Sequence, residues 1–359
     1  NVLNSIKFVD YVFLSKYKDS TNIIKTLKPN LYFKGPDYLN SDSHGNLKNE
    51  LKVLKNNKGK VFFTKTRTQS STKIFNQKYG WSKIQVNYLE IIKKNYSKEI
   101  YKYFNDISKL KINIIGEPII DRYEYCDVIG VTTKDPALSV LSKKVNMIGG
   151  GTLAAAKMAA SFVKEVTLFT YGNGKIIKNL LGNIKNIKVI NLAKNHKIQC
   201  KTRFINSNRG EKLIQSTNFK KNFFSKKDIQ KLISKLMKNN LKNLLVCDFG
   251  NGLFEGKFLN LINKLKIKKY LNVQTNSINL GFNLFTKYKN YSYLCLDTRE
   301  WELALKKNSF SKADVKKYVP KKGHISITMG KNGAKIVDSK LKEFYCPTFI
   351  KHVKDTTGS

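Results

Sequence analysis

The chain has 359 residues and 41% apolar side chains, enough for two domains with their own cores, and no uninterrupted apolar run of about 18 residues that would cross a membrane. The net charge of +42 invites a nucleic-acid reading, but only five of the 67 basic residues are Arg (Arg67, Arg122, Arg203, Arg209, Arg299) and the lysines are spread along the whole chain. That pattern suits lysines on solvated faces, so no nucleic-acid partner is expected. The five cysteines are isolated, with no CxxC, and the four histidines are scattered; neither a zinc site nor a disulfide framework is expected, and a reduced, cytoplasmic protein is. Residue 1 is not Met, which reads as a fragment, and the opening "NVLNSIKFVDYVFL" is not a signal peptide.

In chain order, "FVDYVFL" (Phe8–Leu14) predicts a strand. "DSTNIIKTLKP" (Asp19–Pro29) predicts a capped helix that stops at the proline. "NLYFKG" (Asn30–Gly35) and "GKVFFTK" (Gly59–Lys65) predict two more strands, in a parallel α/β layer. About 80 residues is short for a nucleotide-binding domain, so 1–80 reads as the C-terminal part of one. Within Ser82–Ile107, Ile84, Tyr88, Ile92, Tyr96, Ile100, Tyr103 and Ile107 form one helical stripe, predicting a linker helix over 81–110 that packs on a neighbour; a coiled-coil homodimer is the alternative.

From "KINIIGEPIIDRY" (Lys111–Tyr123) onward a second α/β domain, 111–359, is predicted. Its later strands are Val166–Tyr171, Asn243–Gly250, Tyr270–Thr275, Tyr291–Asp297 and His324–Gly330; helices over Thr152–Phe162, Lys226–Asn239 and Gly256–Lys266 separate them. "YEYCDVIGV" and "ALSVLSKKVNMI" read as strands of a small β lid.

"GGGTLA" (Gly149–Ala154) fits the dinucleotide pattern G-x-G-x-x-A, but the next strand runs into "TYGNG" and offers no acid for a ribose, so an NAD site is rejected. The bland alternative is close packing of a loop and a helix. Taken together, "GEPIIDRY", "GGGTLAAAKMA", "VCDFGNGLF", "LDTRE", "TMGKNGA" and "DTTGS" resemble ribokinase-like sugar kinases of the PfkB type, in the same order, from about Lys111 to the end. The resemblance implies that Asp121 holds sugar hydroxyls, that Gly149, Gly150 and Gly151 let backbone amides approach the sugar, and that Lys201 and Arg203 supply basic groups near the substrate. It implies ATP and Mg²⁺ as cofactors. Asp297 and Glu300 stand for an Asn-x-x-Glu element and hold the metal through water, with Asp in place of Asn. Thr328, Gly330 and Gly333 lie on the nucleotide side. Asp355, Thr357 and Gly358 belong to the anion-hole loop, in which the general base would follow two places after Ser359. On that resemblance the chain stops short of its base and is expected to be inactive alone.

The N-terminal stretches resemble the second half of a cytidylyltransferase-like nucleotidyltransferase. Lys34, Gly35 and Asp37 match its "KG-D" turn, and Arg67 with Ser70, Ser71 and Thr72 match a loop that receives NTP phosphates. An ordinary helix cap is the alternative for the last three. The pairing resembles bifunctional heptose 7-phosphate kinase / heptose 1-phosphate nucleotidyltransferase enzymes, with the two halves in the reverse order. It implies a fragment of a sugar-nucleotide biosynthetic enzyme acting on a sugar or sugar phosphate and an NTP (ATP or CTP). A kinase for another sugar or a nucleoside, and a noncatalytic homologue, are the alternatives.

Overall fold

The computed structural model describes residues 9–12, 14–17, 19–35, 38, 47–64, 82–218, 221–239, 241–308 and 311–349. The chain divides into two compact units, 1–82 and 83–359.

In the first unit, helix α1 (Thr21–Leu27) precedes strand β1 (Leu31–Lys34), helix α2 (Leu47–Asn56) and strand β2 (Lys60–Phe63). The strands pair in parallel, with Leu31 opposite Lys60. Ile24 and Leu54 are the buried apolar side chains that hold the helices. The strand expected at Phe8–Leu14 does not form over its described residues: 9–12 and 14 are irregular, and Tyr11 and Leu14 are almost fully exposed, so no partner strand or core face engages them.

The second unit opens with the 25-residue helix α3 (Lys83–Ile107). Its predicted stripe is not buried as expected. Ile84, Tyr96, Tyr103 and Ile107 are exposed, and contact is concentrated near its start, where the Tyr88 ring meets Phe349 and Gln85 donates to the Thr348 carbonyl. Periodicity fixed an amphipathic helix; it carried no information on what covers the stripe.

The central sheet has nine strands: β3 (Lys111–Gly116), β6 (Glu165–Thr170), β7 (Ile187–Asn191), β10 (Asn243–Asp248), β11 (Lys268–Val273), β12 (Tyr293–Asp297), β13 (His324–Thr328), β14 (Ala334–Asp338) and β15 (Glu343–Cys346). In space the order is β15-β14-β13-β12-β11-β10-β3-β6-β7, parallel from β13 to β7, with β14 and β15 as an antiparallel edge. Successive residues face opposite layers. Ile114 packs with α4 (Thr152–Ala160) and α5 (Gly174–Leu181), while Ile115 packs with the layer of α6 (Lys226–Met237), α7 (Gly256–Lys264), α8 (Thr298–Leu305) and α9 (Lys312–Tyr318). Helices on both faces explain why the parallel strands are continuous apolar runs.

A second, four-stranded sheet forms the lid, in the order β5-β4-β8-β9: β4 (Pro118–Val131), β5 (Leu138–Gly151), β8 (Gln199–Asn206) and β9 (Lys212–Asn218). Strand β4 starts two residues after β3 ends, and β5 runs directly into α4. The lid is thus rooted where the spatial order reverses: from β3 the chain first fills β6 and β7, then crosses back to β10. Open α/β sheets bind ligands at the carboxyl ends of strands at such a switch point.

Candidate active site

Two acids mark the switch point. Glu117 follows β3, and Asp248 ends β10; both side chains are buried. The Glu117 carboxylate accepts three backbone N–H bonds from the β10–α7 loop: Phe249 and Asn251 at 2.8 and 2.9 Å on one oxygen, and Leu253 at 2.8 Å on the other. Its own carbonyl accepts the N–H of Thr152, the first residue of α4, at 3.1 Å. One residue thereby holds two loops in fixed relation. Burial and the neighbouring Asp248 carboxylate push the Glu117 pKa up to about 8, against the pull of the N–H donors. Asp248 is neutralised by Lys287 at 2.6 Å and bonded by the Tyr288 hydroxyl at 2.7 Å and the Asn283 amide at 3.1 Å. This network was not predicted. The signal was present: a buried strand that ends in an acid needs a partner for that charge, and both "GEP" and "VCDFG" end strands this way.

Asp121, four residues into β4, faces the inner side of the lid. Its carboxylate pairs with Arg203 of β8 at 2.6 Å. Arg203 also lies over the Tyr123 ring, 5.4 Å from the centroid. Lys201 stands opposite Asp121 in the parallel β4·β8 register, and its burial lowers its pKa. Gly150 is required by this geometry: a Cβ there would run into the Asp121 carboxylate. Gly151 has φ +58°, and a Cβ would sit 2.7 Å from the Glu117 carbonyl. Only glycine fits both demands. The structure places Asp121, Gly150, Gly151 and Arg203 near one another, with Gly149 at the end of β5 and Lys201 on the same strand face as Arg203.

On the other side of the switch point, Asp297 ends β12 and caps α8. Its carboxylate accepts the Glu300 N–H at 2.7 Å, and Glu300 reaches back to the Asp297 N–H at 2.8 Å and across to the Thr275 N–H at 3.0 Å. Burial pushes the Glu300 pKa up to about 7. The pair is a reciprocal cap, and the Asp297 side of it is exposed. Hard carboxylate oxygens already engaged with backbone donors suit a hydrated Mg²⁺ better than a bare one. Among the described residues no group of three or more acidic, histidine or cysteine side chains is placed to hold a metal directly. Thr328 ends β13 opposite Asp297. The turn after it needs its glycines: φ is +53° at Gly330 and +85° at Gly333, and a Cβ on Gly333 would strike the Cys346 carbonyl. Beside this turn is a small apolar cleft lined by Thr298, Trp301, Glu302, Ile327, Met329 and Lys335.

Lys34 and Gly35, in the first unit, are described; Lys34 ends β1, is bound to Glu50 at 2.7 Å, and lies over the Tyr38 ring. Asp37, Arg67, Ser70, Ser71, Thr72, Asp355, Thr357 and Gly358 lie outside the described residues, and with them the expected convergence of Asp121 and Gly358. No helix among the described residues is long and apolar enough to cross a membrane.

The family model described as pfkB family carbohydrate kinase matches residues 109–359. Among solved structures, the fold is similar to phosphofructokinase-2 from Escherichia coli in complex with fructose-6-phosphate, with a TM-score of 0.52 and 14% identity over 67% of this chain and 81% of that one. The same enzyme in complex with substrates and products gives a TM-score of 0.53 at 14% identity, covering 69% of this chain and 82% of that one. At that identity the likeness is one of fold. No curated protein sequence matches the chain.

Proposed function

Because the chain belongs to the pfkB family of carbohydrate kinases, we propose that its second unit transfers the γ-phosphoryl group of ATP to a hydroxyl of a sugar or sugar phosphate held against Asp121 on the inner face of the lid. The observation that carries this reading is the Asp121–Gly150–Arg203 cluster at the switch point. A carboxylate accepts from two adjacent hydroxyls. Arg203 fixes its orientation, and Gly150 leaves it room. The lid strands cover the sugar and keep water from the phosphoryl group. Asp297 and Glu300 would hold hydrated Mg²⁺, which would neutralise charge on the transferring phosphates. The apolar cleft beside Thr328, Gly330 and Gly333 takes the adenine ring. To Asp355, Thr357 and Gly358, on the resemblance of the motif alone, we assign the backbone N–H groups that would receive the migrating phosphoryl group. The substrate we favour is heptose 7-phosphate-like, on the resemblance of the motifs, and the site of action is the cytoplasm.

For the first unit we propose nucleotidyl transfer from ATP or CTP to a sugar 1-phosphate. The supporting observation is its parallel β1–α2–β2 arrangement, with Lys34 and Gly35 at the carboxyl end of β1. The two activities separate by product. Incubating the full-length protein with ATP and a panel of sugars and sugar phosphates should release ADP, and with CTP or ATP and sugar 1-phosphates should release pyrophosphate. ADP release with no sugar in the panel above the sugar-free rate would refute the kinase assignment; absence of pyrophosphate with every pair would refute the second.

A further inference from the structure

Two carboxamides remain unexplained by the groups described so far. Gln199 opens β8 and is 5% exposed; Asn251 lies in the β10–α7 loop and is 1% exposed. Among the described residues, neither the oxygen nor the nitrogen of either side chain has a hydrogen-bond partner. A buried polar group left without one costs about 1–3 kcal/mol, so side chains of this kind are kept where something else satisfies them.

Their surroundings fix where that something is. Gln199 stands opposite Ile119 in the β4·β8 register. It shares its strand face with Lys201 and Arg203, the residues two and four places on, and hence with the inner side of the lid. Asn251 has its N–H on the Glu117 carboxylate, two residues before Ile119. Asn222 ties the two segments together: its N–H donates to the Asn251 carbonyl at 3.0 Å, and its side-chain amide donates to the Lys197 carbonyl at 3.1 Å. Both residues therefore sit where the lid leaves the central sheet.

We propose that Gln199 and Asn251 bind hydroxyl groups at the uncharged, polyol end of the sugar and so decide which sugar is accepted. The proposal rests on the carbohydrate kinase reading. A carboxamide offers one acceptor and two donor hydrogens without charge, and a hydroxyl both donates and accepts, so each group satisfies the other completely. A phosphate or carboxylate has no hydrogen for the amide oxygens, and would leave them facing a negative charge. The cations on this strand face, Lys201 and Arg203, lie farther along β8, so an anionic end of the substrate belongs on that side. The wall is thus polarised along one strand, from neutral amides at Gln199 to positive charge at Lys201 and Arg203. A site that hydrogen-bonds a hydroxyl rejects the analogue lacking it far more strongly than an apolar pocket can.

The test is calorimetric. The full-length protein is titrated with pentoses, hexoses, heptoses and their phosphates, then with monodeoxy analogues of the tightest binder. Gln199→Met and Asn251→Leu should each weaken that binder about 5- to 100-fold. ATP binding should be unchanged, and each variant should bind one deoxy analogue as well as it binds the parent sugar. That loss of discrimination is not produced by a merely structural role. Gln199→Glu and Asn251→Asp keep the shape and remove the donors, so they repeat the test if the first pair fails to fold. Unchanged affinity and discrimination in the folded variants would overturn the assignment of these two residues and leave the kinase reading standing. A wild-type protein that binds none of the sugars would overturn the kinase reading itself, and this inference with it.

Discussion

The central sheet and the lid are built from the same chain by opposite rules. The central strands are covered on both faces: Ile114, Ile115, Leu168, Val246 and Leu294 have no exposed surface. The lid has only one face engaged, and its other strands leave Ile129, Val131, Met147 and Ile214 largely in water. The polar groups are distributed the other way. In the central sheet the acids of the candidate site stand at the carboxyl ends, as Glu117, Asp248 and Asp297. In the lid polar side chains run along the inner face, as Asp121, Gln199, Lys201 and Arg203. Stability is concentrated in the sheet and recognition in the lid, and substitutions in the two should therefore separate stability from binding.

The largest expected effect is on the sheet. Phe258 of α7 is buried in the larger core. Phe258→Ala should cost about 3–5 kcal/mol of unfolding free energy, read by denaturant titration, with sugar affinity unchanged at temperatures where the protein stays folded. A weakened sugar site in the folded fraction would break the separation. On the lid side, Gly150→Ala places a methyl group against the Asp121 carboxylate. Overpacking of about 1–3 kcal/mol should lower the melting temperature by a few degrees, less than Phe258→Ala does, and displacement of the Asp121 carboxylate should weaken sugar binding by about 5- to 100-fold, measured by calorimetry.

A smaller effect is expected at the joint between the two regions. Glu117 in the folded protein keeps its proton to about pH 8, whereas the unfolded chain releases it near 4.5. Between those values the folded state holds the extra proton, so this group's contribution to stability falls as pH rises, and is complete below the unfolded value. Glu300, raised to about 7, acts with the same sign. The interval from about pH 5 to about pH 8 covers both groups, and comparison with a Glu117 variant separates the share of Glu117. Glu117→Gln should flatten the fall in melting temperature over that interval relative to wild type; an equal slope in the two proteins would contradict the assigned titration. The smallest effect is expected on the outer face of the lid, where Met147→Gln should change stability by less than about 0.5 kcal/mol, read by the same denaturant titration.

The same contrast governs what could be read before the structure. A strand such as "NLLVCD" announces itself because burial on both faces demands an apolar run. Two of the four lid strands, β4 and β5, were read from the stretches next to Asp121 and to the glycines that end β5, whereas β8 and β9 were not. Helices α5, α8 and α9 were not predicted: each has eight residues or fewer, too short for a periodic stripe, although Asn173, Asp297 and Ser311 cap them in the usual way. Glu117 and Gln199 were missed for a different reason. What each does depends on partners distant in sequence, the 249–253 loop for Glu117 and the inner face of the lid for Gln199, and no local pattern encodes those. The α3 stripe erred in the opposite direction, because amphipathicity was legible and its covering was not.

The claim on which the rest depends is that the sugar is held by Asp121 beneath the lid. The most direct measurement compares sugar-dependent ADP release by the full-length protein and its Asp121→Asn variant, with kcat/KM for the sugar and KM for ATP determined in each. The amide keeps the shape of the side chain and its place beside Gly150, but it loses the charge that sugar hydroxyls and Arg203 engage. The account predicts a fall in kcat/KM for the sugar of about 10- to 100-fold, with KM for ATP unchanged. Equal kcat/KM in the two proteins on every sugar turned over would contradict it.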